Sequence, residues 1–115
     1  MQITEREVDD VIILDLKGRL ILDDGFEPLR VALNRVIGEG YRKVLLNFAD
    51  VVFLDSACVG LIACKYITLS RHNGQLKLCR LQPNSHRVLH TTKLLTVFEA
   101  FPSEPEALES FQAVD

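Results

Sequence analysis

The sequence lacks the usual marks of an enzyme, a nucleic-acid binder or a membrane protein. It has no basic run and no interleaving of basic and aromatic residues, and its net charge is −3. These features argue against nucleic acid as a direct partner. No apolar stretch reaches the length of a membrane span, and no charged-then-apolar segment opens the chain. The expectation is therefore no membrane insertion and a cytoplasmic location. Cysteine is scarce: Cys58, Cys64 and Cys79 are the only three, and none lies in a CxxC pair. An odd count without that spacing reads as reduced thiols and not as a disulfide framework. Cys64 and Cys79 are expected to be small core residues. His86 and His90 lie four apart, but the Glu of an HExxH motif and a third ligand are missing, so no metal is expected. There is no GxSxG turn to expose a nucleophilic serine, and no glycine-rich phosphate loop. Gly38-Glu39-Gly40 reads as a helix stop. The expectation is a non-enzymatic chain without a cofactor.

What is present is an ordinary globular pattern. With 115 residues, 48% of them hydrophobic and 25% charged, the chain is long enough for one core and reads as one domain over residues 1–115. Ile3 to Val8 and Val11 to Lys17 read as strands joined by a turn at Asp9-Asp10. Gly18 breaks or bends the chain, and Arg19 to Leu22 reads as a short strand. Asp23 and Asp24 can cap a helix with Pro28 in its first turn. Phe26, Leu29, Leu33, Val36 and Ile37 then form one apolar stripe at helical spacing. Lys43 to Phe48 is apolar on both alternating faces, as a buried, central, parallel strand requires. A helix from Ser56 to about His72 follows, stopped by Asn73-Gly74. Gln75 to Leu81 reads as a strand and Pro83-Asn84 as the start of a short helix. Leu94 to Phe98 reads as a short strand or an irregular packing segment. Ser103-Glu104-Pro105-Glu106 has capping-box spacing ahead of a last helix carrying Ala107, Leu108 and Phe111. Alternating helices and strands imply right-handed parallel crossovers, hence an α/β domain with a mixed sheet and flanking helices.

Asp55-Ser56 is the most informative pair. It joins the apolar stretch Val44 to Leu54 to the helix, so a strand delivers one serine to a helix start. There a hydroxyl can act as the cap. An added phosphate there would meet the positive end of the helix dipole, with Asp55 opposing part of the gain. The helix carries two apolar sets. Ala57, Leu61, Cys64 and Thr68, with Gly60 allowing close approach, are expected against the sheet. Val59, Ile62, Ala63 and Tyr66 form a second stripe at i, i+3, i+4, i+7. If that stripe faces solvent, it is a contact patch beside a modifiable hydroxyl. Otherwise another segment covers it. A partner docked over it would have to desolvate a phosphate dianion, so modification would act on the interface and not on the fold. Cys58, near a helix start, is a redox candidate if exposed and inert if buried.

At these residues the chain resembles the STAS domain family, in particular bacterial anti-sigma factor antagonists. Val52-Phe53-Leu54-Asp55-Ser56-Ala57-Cys58-Val59-Gly60 matches a family pattern of apolar residues followed by Asp-Ser-x-Gly-Leu-Gly. Ile13 to Leu20, Asn73 to Leu78, Thr92 to Phe98 and Glu106 to Leu108 match in order and spacing. Cys58 stands where the family has glycine, and Asn47 stands where it commonly has aspartate. The resemblance implies a mixed sheet flanked by helices and a function in partner switching. The unphosphorylated antagonist binds an anti-sigma factor that is also a serine kinase, and a sigma factor is released. Phosphorylation at Ser56 blocks binding, and a PP2C-type phosphatase restores it. The resemblance also places Asp23 or Asp24 in contact with the kinase, against a reading of both as helix caps. Asp55 would position the serine or its cap, and would help orient the hydroxyl toward the kinase. The alternative is an adaptor or scaffold of the same fold, in a stressosome-like or lipid-transport complex, with Ser56 only a cap.

Overall fold

The computed structural model describes residues 1–112. Along them run β1 (Gln2–Val8), β2 (Val11–Leu20), α1 (Phe26–Gly38), β3 (Lys43–Leu54), α2 (Ser56–Arg71), β4 (Gln75–Cys79), α3 (Pro83–Thr91), β5 (Glu99–Phe101) and α4 (Glu104–Gln112). The strands form one sheet in the order β1-β2-β3-β4-β5. Asp9, at φ 57°, makes the tight turn that pairs β1 antiparallel to β2. The pairs β2–β3, β3–β4 and β4–β5 are parallel, with α1, α2 and α3 as the crossovers. The expected mixed sheet with flanking helices is what the chain forms.

The apolar pattern explains the layers. Ile12, Leu14 and Leu16 of β2 and Val44, Leu46 and Phe48 of β3 point to one face, against Leu29, Leu33 and Val36 of α1, Ile62 and Leu69 of α2 and Leu89 of α3. Val11, Ile13, Leu45 and Cys79 point to the other, where Ala107 and Phe111 of α4 cover them. Each Val, Leu, Ile or Phe side chain among them contributes about 1.5–3 kcal/mol on burial. A charged network joins Arg6 to Asp15 and Glu104, with Asn47 Nδ2 donating to Asp15 at 2.8 Å. It ties β1 and β2 to the start of α4. The Arg6 guanidinium holds the Asp15 carboxyl below the usual carboxylate range.

Several boundaries differ from the sequence reading. Gly18 bends the chain at φ 125° but does not break it, so β2 runs on to Leu20 and no separate strand forms over Arg19 to Leu22. Asp23 and Asp24 do not cap α1: its N-cap is Gly25, without a side-chain hydrogen bond. The Asp24 carboxylate is instead taken by the Met1 amino group at 2.8 Å and by Arg19 Nε at 3.2 Å. β4 stops at Cys79, short of Leu81, and Leu94 to Phe98 forms turns ahead of β5. Cys64, expected in the core, is exposed, whereas Cys79 is buried. The capping of α4 is as expected, with Ser103 Oγ accepting from the Glu106 N–H at 3.3 Å.

Candidate functional site

The site forms where β3 leaves the sheet. β3 carries one residue more than β2 between Asn47 and Asp50, and one more between Val51 and Phe53. Such bulges twist a strand and re-aim its side chains. They put two consecutive residues, Val52 and Phe53, at the surface, 56% and 52% exposed. The chain then turns at Asp55, in extended conformation at φ −110° and ψ 170°. The Asp55 N–H still donates to the Leu20 carbonyl at 3.2 Å. One Asp55 carboxylate oxygen accepts from the Cys58 N–H at 3.0 Å and the other from the Leu22 N–H at 2.8 Å.

Asp55 is therefore the N-cap of α2, and it also braces the loop before α1. Partial burial pushes its carboxyl upward in pKa, but the backbone hydrogen bonds from Cys58 and Leu22 outweigh that, and the net shift is downward. Ser56 is the first helical residue and is exposed. The capping role considered for Ser56 falls to its neighbour, whose carboxylate reaches the orphan amide from the extended position that a cap requires.

The two sides of α2 are reversed relative to the sequence reading. Val59 and Ile62, expected on a contact face, are only 1% and 0% exposed and belong to the core. Ala63 and Tyr66 are half-buried against the same core, and the Tyr66 ring meets Phe98 edge-on at 5.6 Å. Of the other set, Gly60 and Cys64 are exposed and Thr68 is half-buried, while Leu61 is buried at the boundary. A Cβ added to Gly60 would meet nothing within 4 Å, so this glycine permits no close approach. The physical reason is volume: Val59, Ile62 and Leu69 fill the space above the sheet better than glycine, cysteine and threonine do. Burial pushes the Cys58 thiol up to about 12, with the Asp55 charge adding to it, so this thiol stays protonated at neutral pH.

The surface around Ser56 comes from other residues. Leu22 is 56% exposed and is held beside the start of α2 by its N–H bond to Asp55. Asp23 is exposed next to it, whereas Asp24 is half-buried and engaged by Met1 and Arg19. The structure thus ties the exposed Leu22-Asp23 loop to Asp55, next to Ser56 and two residues after the exposed Phe53, and buries Val59 and Ile62. Leu22 and Phe53 carry no sequence signal of their own, since both sit in runs that read as strand. Among the described residues no group of three or more His, Cys, Asp and Glu could hold a metal, and no helix is long and apolar enough to cross a membrane.

Comparison with known proteins agrees with this geometry. The family model described as STAS domain matches residues 2–107. The anti-sigma F factor antagonist of Paenibacillus polymyxa is 25% identical over 115 residues, covering 99% of this chain and 97% of that protein. The crystal structure of a Thermotoga maritima protein, a candidate anti-sigma factor antagonist, superposes with a TM-score of 0.89 at 25% identity, covering 96% of this chain and 94% of that one. The Bacillus cell fate determinant SpoIIAA in its phosphorylated form shares the fold, with a TM-score of 0.75 at 22% identity over 96% of this chain and 99% of that one.

Proposed function

The chain belongs to the STAS domain family, and from that premise we propose that it is an anti-sigma factor antagonist switched by phosphorylation at Ser56. In this reading residues 1–115 act as one regulatory binding domain and perform no chemistry of their own. The unphosphorylated form binds an anti-sigma factor that is also a serine kinase, and so frees a sigma factor. A PP2C-type phosphatase returns the modified form to the binding state.

One observation carries the reading. Asp55 caps α2, so the exposed Ser56 hydroxyl is spare. A phosphate there adds about −1.5 to −2 charges at the positive end of the helix, where the dipole favours it. The Asp55 carboxylate opposes part of that gain, and its two backbone hydrogen bonds keep it in place. The fold therefore tolerates the modification. A partner seated on Leu22, Asp23 and Phe53 does not, because it would have to desolvate a dianion at the edge of its contact. The contact face in this proposal is that surface, with Asp55 supporting it from below. Asp24 acts as an internal brace. SpoIIAA has a phosphorylated form, and the corresponding state of this chain is proposed at Ser56.

The test is the intact mass of the protein purified from its host, with site mapping. A gain of about 80 Da at Ser56, together with loss of binding to the co-purifying kinase, is the expected result. Ser56 unmodified in both growing and stressed cells would overturn the switch and leave the constitutive adaptor.

A further inference from the structure

β3 has a strand on both sides only as far as Asn47, which lies opposite Cys79, the last residue of β4. On the β2 side pairing continues, and the Asp55 N–H reaches the Leu20 carbonyl. Backbone N–H groups point alternately to the two sides of a strand. The N–H of Leu54 therefore faces away from β2, toward the side that β4 has already vacated. An asparagine side chain finishes that edge. Asn84 Oδ1 accepts from the Leu54 N–H at 2.9 Å in a partly buried position. Asn84 is the second residue of α3, thirty positions along the chain from Leu54. One amide from α3 thus replaces a strand that has ended.

We infer that Asn84 is a positioning residue for the Ser56 site: by holding Leu54 it sets where β3 stops and from where α2 starts. The inference rests on the reading of Ser56 as the modified residue. Leu54 directly precedes Asp55. If its N–H is released, the Phe53–Leu54 peptide loses its anchor and the strand end that carries Asp55 is left with the Asp55 N–H bond to Leu20 alone. The Asp55 carboxylate then loses its aim at the Cys58 and Leu22 amides, at 3.0 and 2.8 Å. The first turn of α2 and the Leu22 loop loosen together, and the Ser56 hydroxyl spends less time in any one direction. Phosphoryl transfer to a hydroxyl depends steeply on that alignment.

A purely structural role in α3 is separable from this one. Asn84 is not the cap of α3, whose N-cap residue is Gln82. Alanine is the better helix former, so Asn84→Ala leaves the intrinsic helicity of α3 undiminished while removing the acceptor. Asn84→Asp keeps an acceptor oxygen for the Leu54 N–H.

The experiment uses the full chain, labelled for NMR, as wild type, Asn84→Ala and Asn84→Asp. In Asn84→Ala, amide exchange at Leu22, Leu54 and Cys58 should accelerate about tenfold or more, while Leu46 in the core is unchanged. Asn84→Asp should exchange as wild type does. With host-cell lysate, ATP and magnesium, Ser56 in Asn84→Ala should be phosphorylated about tenfold more slowly, and Asn84→Asp should restore the rate. Wild-type exchange and wild-type phosphorylation in Asn84→Ala would overturn the inference. Acceleration that extends equally to Leu46 would also overturn it, because the effect would be global unfolding. If the exchange pattern is as expected but wild-type Ser56 takes no phosphate, the anchor stands and it is the reading of Ser56 that falls.

Discussion

The two halves of β3 are equally apolar in sequence and opposite in use. Up to Asn47 the strand lies between β2 and β4, and Val44, Leu45 and Leu46, with Phe48 just beyond, are buried on both faces. From Ala49 to Leu54 it keeps β2 alone, bulges twice, and turns Val52 and Phe53 to the surface. Hydrophobicity does not separate the halves; the length of the neighbour does. Because β4 ends at Cys79, one apolar run becomes core at its start and exposed surface at its end. The first half fixes the position of the second, and the second, in the proposed function, is what meets the partner.

The comparison breaks most sharply at Leu46. Leu46→Ala in the first half should cost about 2–5 kcal/mol by chemical denaturation, through lost burial and a residual cavity. A loss below about 1 kcal/mol would mean that the centre of the sheet is looser than described. At the junction, Asp55→Ala removes a cap and a brace, and should cost about 1–2 kcal/mol. That term also depends on pH. The folded-state pKa of Asp55 lies below its ordinary value, so the stabilisation is complete above the unfolded value, near 4, and is lost as pH falls through the folded one. Asp55→Asn should flatten this acid slope in a pH series of denaturation curves.

In the second half the effects move from stability to binding. Phe53→Ala should weaken partner affinity by about 1 kcal/mol or more in a titration, while the denaturation midpoint barely shifts. A stability loss as large as that of Leu46→Ala would make the two halves equivalent and sink the distinction. On the outer side of α2, Gly60→Ala should stabilise the protein by about 0.5–1 kcal/mol, because a helical glycine with open space above it gains from a methyl group. The smallest effect belongs to Ser56→Ala, expected within about 0.5 kcal/mol of wild type. A loss near 1 kcal/mol would show that the serine hydroxyl, and not Asp55, carries the cap.

Much of the fold was legible because its signals are local. The turn signal at Asp9-Asp10 marked the β1–β2 hairpin, and apolar residues on both faces marked the central β3. Helical spacing marked α1, and the capping box at Ser103 marked α4. The junction at Asp55-Ser56 was legible as a strand-to-helix turn. The choice of cap was not, because aspartate and serine both cap helices well and only the backbone angles decide between them. The side of α2 that faces the sheet was misread for a similar reason. A sequence with two offset stripes specifies an angle between them, not the direction of the neighbouring sheet. Asp24 was legible as a polar loop residue, but its engagement by Met1 joins positions 23 residues apart.

The sequence alone determined the order of the elements, the buried centre of the sheet and the presence of a hydroxyl at a helix start. These follow from periodicity and turn chemistry within a few residues. Only the tertiary structure decided that Asp55 and not Ser56 caps α2, that Val59 and Ile62 are core, that Leu22 and Phe53 are exposed, and that Asn84 holds Leu54. Each of those facts depends on where a distant segment ends or points, which is a matter of packing and is written in no single stretch of chain.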